Sequence, residues 1–219
     1  MSQSDFQARR VKMVDGQLRT TDVSSHPVLD AFLAVPRESY VSDAKRELAY
    51  LDMEVAVAPG RYLMEPSPLA KLIQLADIQS TDRVLDIGTA TGYGAAILSR
   101  IGATIVTLES NGELGGTAKA NLAAANITNV EMMTGALTAG AASKGPFNVI
   151  LIEGAVSQVP KALFDQLADG GRLVAVEGEG LSGVARLYVK SGQSVSGRRG
   201  FNLSVKPLPG FELAPQFSL

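Results

Sequence analysis

The residues best placed to do chemistry are a glycine-rich turn and an acid that follows it. Gly88-Thr89-Ala90-Thr91-Gly92 comes directly after an apolar run, Val84-Leu85-Asp86-Ile87, and opens onto helically spaced Ala95, Ala96, Ile97, Leu98 and Ile101. A strand, a glycine turn and a helix aim backbone N–H groups and the positive helix end at an anion or polar ligand. Glu109 ends the next apolar run, Ile105 to Leu108, about twenty residues on, where a carboxylate can accept the two hydroxyls of a ribose. The alternative for these residues is an ordinary tight turn and a solvated glutamate at a strand end.

The spacing also bears on which nucleotide such a site takes. A dinucleotide loop wants glycine at the positions of Gly88, Ala90 and Tyr93, and only the first is glycine. Ala90 puts a Cβ where a pyrophosphate must approach, so a nucleoside ligand without pyrophosphate, such as S-adenosylmethionine (SAM), fits better than NAD. Other chemistries lack their residues. Cys is absent and His26 is the only histidine, which excludes thiolate sites and disfavours a His-rich metal centre or a Ser-His-Asp triad. A net charge of −2, 5% aromatic residues and no Trp give no footprint for nucleic acid.

These groups need a scaffold that brings strand ends together. From Arg83 on, short apolar runs alternate with helical patterns, the rhythm of a parallel α/β sheet. Strands are expected at 84–87, 105–108, 130–134, 149–152 and 173–176, with helices at 113–125 and 160–167. Two further strands, near 187–189 and 201–205, have no helix between them and suggest an antiparallel pair. Before Arg83, residues 28–33 and 69–76 carry helical spacing, and 50–66 has little regular pattern, as a substrate loop would. The expected fold is α/β: a doubly wound, mostly parallel Rossmann-like sheet with helices on both faces, an antiparallel C-terminal strand pair and an N-terminal helical extension. One domain is expected over 1–219, with the extension and substrate loop at 1–80 and the α/β core at 81–219. With 46% hydrophobic and 19% charged residues the chain can bury a core, and no apolar run reaches the roughly 18 residues of a membrane helix. The N-terminal residues lack the apolar core of a signal peptide, so a cytoplasmic location is expected, with neither membrane nor nucleic acid as partner.

The Val84–Tyr93 segment closely resembles the SAM loop of the protein-L-isoaspartate O-methyltransferase family. Ala34-Val35-Pro36-Arg37-Glu38-Ser39-Tyr40-Val41 resembles that family's VPRE-aromatic-V segment, and Ala49-Tyr50-Leu51-Asp52 its AYxD. Leu167 to Val174 is similar to its LKPGGRLV turn and strand, so the likeness runs from about Val11 to Gly178. The resemblance implies SAM as cofactor and methylation of the free carboxylate of isoaspartyl (less well D-aspartyl) residues in damaged proteins. A carboxylate is ionised at pH 7 and needs no general base, and no metal is implied. The cofactor-binding positions it implies are Asp86, Gly88, Thr89, Ala90, Gly92, Tyr93, Glu109 and Ala136.

Three pocket positions depart from the family. Met64 stands where the family has a substrate-binding serine and cannot donate a hydrogen bond. Arg61, on the same loop, could clamp the substrate carboxylate instead, or be a solvated loop arginine. Ala136 replaces an acid that contacts adenine in the family. Glu153 ends a strand where a small or neutral residue is common, and could be an acid or base, or one half of an ion pair with Arg61 or Arg37. Met64, Arg61 and Glu153 are therefore the candidate substrate-side residues. A non-catalytic homologue used as an interaction module, or a methyltransferase for another substrate, are the competing readings.

Overall fold

The computed structural model describes residues 3–178 and 182–212. An N-terminal part comes first: α1 (Gln3–Met13), α2 (His26–Ala34), a hairpin of β1 (Val55–Ala58) and β2 (Arg61–Leu63), and α3 (Pro66–Ala76). The core follows as β3 (Arg83–Ile87), α4 (Tyr93–Leu98), β4 (Thr104–Glu109), α5 (Gly112–Ala124), β5 (Val130–Thr134) and β6 (Phe147–Val156). It is completed by α6 (Lys161–Asp165), β7 (Leu167–Glu177), β8 (Val184–Ser191) and β9 (Ser194–Asn202).

Seven strands form one sheet in the order β5-β4-β3-β6-β7-β8-β9. The first five are parallel, β8 runs antiparallel to β7, and β9 antiparallel to β8. Burial on both faces explains the continuous apolar runs of β3 and β6, since a parallel sheet covered on both sides has no polar face to alternate with. The chain leaves β3 in one direction for β4 and β5, then returns to the other side of β3 for β6 and β7. The crevice at the carboxyl ends of β3 and β6 is therefore the switch point where such sheets take ligands.

The expected α/β sheet with its antiparallel end is present, with differences in detail. The stretch 50–66 holds the β1–β2 hairpin, turned by Gly60 at φ +69°. The helix expected over 160–167 is the shorter α6, and Leu167 already starts β7. His26 is an exposed first residue of α2. No helix among the described residues is long and apolar enough to cross a membrane.

Arg37, in the VPRE segment, ties the N-terminal part to the core. It is fully buried, its Nε donates to the Ala49 carbonyl (2.8 Å) and its Nη2 to the Met64 carbonyl (2.7 Å). Its guanidinium lies over the Tyr93 ring, 4.8 Å from the centroid, and Tyr93 stacks edge-on with Phe32 and Tyr40. One cation thus fixes the end of the hairpin segment, the start of the loop helix and the extension.

Candidate cofactor and substrate site

The loop after β3 is built from left-handed turns. Gly88 and Gly92 have φ of +87° and +92°, and Ala90, without glycine's freedom, sits at +53°. A non-glycine residue there costs roughly 1 kcal/mol, and the conformation aims the Ala90 N–H at Glu109 Oε2, 2.9 Å away. Glu109 Oε1 accepts from the backbone N–H groups of Ser110 (2.9 Å) and Asn111 (3.0 Å) at the start of α5. Asn111 caps that helix through its side chain, which accepts from the Glu113 and Leu114 amides. The acid at the end of β4 is thus fixed by three backbone donors. It is completely buried, so the solvated-glutamate alternative fails.

Arg61 completes this arrangement. Its Nη1 and Nη2 each donate to one oxygen of Glu109, both at 2.7 Å, and Nη2 also donates to the Gly88 carbonyl at 3.0 Å. This is a bidentate fork-to-carboxylate pair, and Arg61 is only 5% exposed, not a solvated loop residue. The expected ion pair of Glu153 with Arg61 or Arg37 does not form. Arg61 is taken by Glu109, and Arg37 by two main-chain carbonyls.

Glu153 goes to Asp86 instead. The register of β6 against β7 slips between Leu151 and Ala155, and the residues in that slip include Glu153. Glu153 lies against the backbone of α4: a Cβ on Gly94 would sit 1.7 Å from Glu153 Oε1. The two carboxyls are neighbours, and no N–H or hydroxyl donates to Asp86 Oδ1 or Glu153 Oε1. Two acceptor-only groups can bond only through a shared proton. Burial, then the neighbouring Asp86 charge, push Glu153 well above the usual carboxylate range. Burial likewise raises Asp86, opposed by the Glu153 and Thr107 hydrogen bonds, the latter 2.7 Å from the Thr107 hydroxyl.

Beside this lies a narrow cleft of about 20 Å³ whose walls include Glu54, Arg61, Tyr62, Met64, Glu153 and Lys206. Met64 is buried there, with its carbonyl held by Arg37. The far wall is a strap of chain after β9. The Ala155 N–H donates to the Lys206 carbonyl (2.9 Å) and the Leu208 N–H to the Ala155 carbonyl (2.8 Å), so the strap adds alongside the end of β6. Leu208 then drops onto the switch point: a Cβ on Gly88 would meet its methyls at 2.9 Å, and one on Gly154 its Cβ at 2.8 Å. Leu208 and Phe211 are buried in the apolar cluster that contains Leu108 and Leu137. The sequence signal was there, in two large apolar residues within Pro207-Leu208-Pro209-Gly210-Phe211, a proline- and glycine-rich tail.

The remaining expected positions divide in two. Thr89 is buried in the loop, whereas Tyr93 sits in the aromatic cluster with Phe32 and Tyr40, and Ala136 is exposed just past β5. The donor set fits SAM: a carboxylate held at the end of β4 for a ribose, and a glycine notch at the switch point. The space between is taken by two of the chain's own side chains, since Arg61 covers Glu109 and Leu208 fills the Gly88 notch. A nucleoside placed there would meet both side chains.

Comparisons with known proteins bear on the family and the fold. The sequence profile described as Protein-L-isoaspartate(D-aspartate) O-methyltransferase (PCMT) matches residues 8–205. A protein-L-isoaspartate O-methyltransferase of Koribacter versatilis is 38% identical over 169 residues, 77% of this chain and 76% of its own length. One of a Roseiflexus species is 33% identical over 206 residues, 94% of each chain. Among solved structures, a protein-L-isoaspartate O-methyltransferase superposes with a TM-score of 0.81 at 27% identity, covering 92% of this chain and 67% of that one. A Plasmodium falciparum homologue, solved in complex with S-adenosyl-L-homocysteine, shares the fold with a TM-score of 0.76 at 18% identity, over 94% and 98% of the two chains. With its profile matched over nearly the whole chain and its glycine loop and strand-end acid at the sheet's switch point, the chain belongs to the protein-L-isoaspartate(D-aspartate) O-methyltransferase family of SAM-dependent enzymes.

Proposed function

We propose that this chain methyl-esterifies the free carboxylate of isoaspartyl residues in proteins, with SAM as methyl donor. The observation that carries the reading is the glycine loop and the buried Glu109 meeting at the switch point of the sheet. SAM, when bound, supplies an electrophilic methyl group. Everything else is positioning, and holding a nucleophile in a near-attack geometry can supply most of the rate.

The residues divide that task. Glu109 and the Gly88–Gly92 loop hold the cofactor, with a main-chain group at Ala136 replacing the family's acid. The substrate carboxylate belongs in the cleft beside Met64, where Lys206 contributes positive charge. Burial and the neighbouring Asp86 push Glu153 well above the usual carboxylate range, which lessens its repulsion of such a substrate. Met64 offers no hydrogen bond to the carboxylate, and losing one donor to a charged partner costs about 1.5–3 kcal/mol. Incubation with labelled SAM and an isoaspartyl peptide should yield a base-labile methyl ester; none at high enzyme concentration overturns the reading.

A further inference from the structure

Arg61 holds the one acid that the nucleoside needs, and it also lines the cleft assigned to the substrate. Resting on the proposed function, we infer that Arg61 is a hand-over residue. It covers Glu109 in the closed cleft, yields Glu109 to the ribose hydroxyls of the cofactor, and then binds the carboxylate of the isoaspartyl substrate.

Three observations support the exchange. First, Glu109 does not depend on Arg61 for its position. Ala90, Ser110 and Asn111 each give it a backbone N–H, so two hydroxyls can replace the guanidinium with no oxygen left bare. Secondly, a released guanidinium needs another anion, because an unpaired buried charge is costly. Asp86 and Glu153 face each other and Glu109 would be taken, so the anions within reach of the cleft are Glu54 on its wall and the incoming carboxylate, which alone arrives with the substrate. Thirdly, Arg61 is the first residue of a three-residue strand in a hairpin outside the main sheet, next to a Gly60 with no atom near its missing Cβ. Its side chain can turn from one partner to the other without moving the core. The same switch supplies, by charge, the carboxylate contact that Met64 cannot make.

Such an exchange couples the two ligands, and the coupling must be reciprocal. The test is calorimetric titration with S-adenosylhomocysteine and an isoaspartyl peptide, singly and together, on the wild type, Arg61→Gln and Arg61→Lys. The peptide should bind the wild type at least tenfold more tightly when S-adenosylhomocysteine is saturating. Arg61→Gln should bind S-adenosylhomocysteine at least tenfold more tightly than wild type and lose the coupling. Arg61→Lys, which keeps the charge but not the fork, should retain at most a threefold coupling. The wild-type coupling needs no variant and stands as a test should Arg61→Gln not fold. Peptide binding that ignores S-adenosylhomocysteine in the wild type overturns the hand-over and reduces Arg61 to a competitor for Glu109. If neither the wild type nor any variant binds S-adenosylhomocysteine at millimolar concentration, the proposed function itself falls.

Discussion

The buried Asp86–Glu153 pair makes stability depend on pH in an unusual direction for carboxyls. The native pair keeps a proton that the unfolded chain releases above the ordinary glutamate value of 4.5. The native state then binds more protons than the unfolded one, so stability falls as pH rises from about 4.5 until the pair ionises. The slope is at most about 1.4 kcal/mol per pH unit for one proton. Glu153→Gln replaces the shared proton with an amide N–H toward Asp86, and its melting temperature between pH 5 and 8 should vary less than the wild type's by that one-proton slope. A variant that keeps the full slope sinks the shared-proton assignment. Met64 gives a second prediction at this scale. Its carbonyl is held by Arg37, so Met64→Ser should put a hydroxyl in the cleft on an unmoved main chain and raise kcat/KM for an isoaspartyl peptide about ten- to a hundredfold. Residue types alone put Met64, Arg61, Glu109 and Glu153 near one pocket. They could not say which acid takes Arg61, because that pairing depends on where β6 slips and on a hairpin lying some fifty residues before Glu109.

At the scale of elements, legibility followed locality. The strands of the parallel sheet were readable because burial on both faces leaves long apolar runs, and the loop helix because its apolar spacing begins at the glycine turn. The β1–β2 hairpin was not, since four- and three-residue strands carry too little pattern. Nor was the early end of α6, where tertiary pairing of Leu167 with Phe147 overrides the helical spacing. The cap of α5 has a double effect: Asn111 fixes the helix start, and the same first turn presents its N–H groups to Glu109. Asn111→Ala should cost about 1 kcal/mol, a drop of roughly 2–4 °C in Tm, and weaken S-adenosylhomocysteine binding as the first turn frays. Thermal melts and titration of one preparation check both, and unchanged affinity would separate the cap from the site.

At the scale of the whole molecule, the C-terminal strap sets a competition between stability and binding. The family profile ends at residue 205, and the strap that seals the cleft begins just after it, at Lys206. Leu208→Ala removes a buried side chain and should destabilise the free protein by about 2–5 kcal/mol. Because Leu208 fills the Gly88 notch, the same variant should gain more in Tm from added S-adenosylhomocysteine than the wild type gains. An equal gain in both would place Leu208 outside the binding competition.

What the strap does on the way in, it also does on the way out. If the cofactor occupies the Gly88 notch, S-adenosylhomocysteine, the spent cofactor, must leave past the same Leu208 that is tied to Ala155. The enzyme would then behave as a timer wound by its own tail. Its turnover number would follow solvent viscosity and the length of chain beyond β9, and accumulated product would stall it long before peptide ran out.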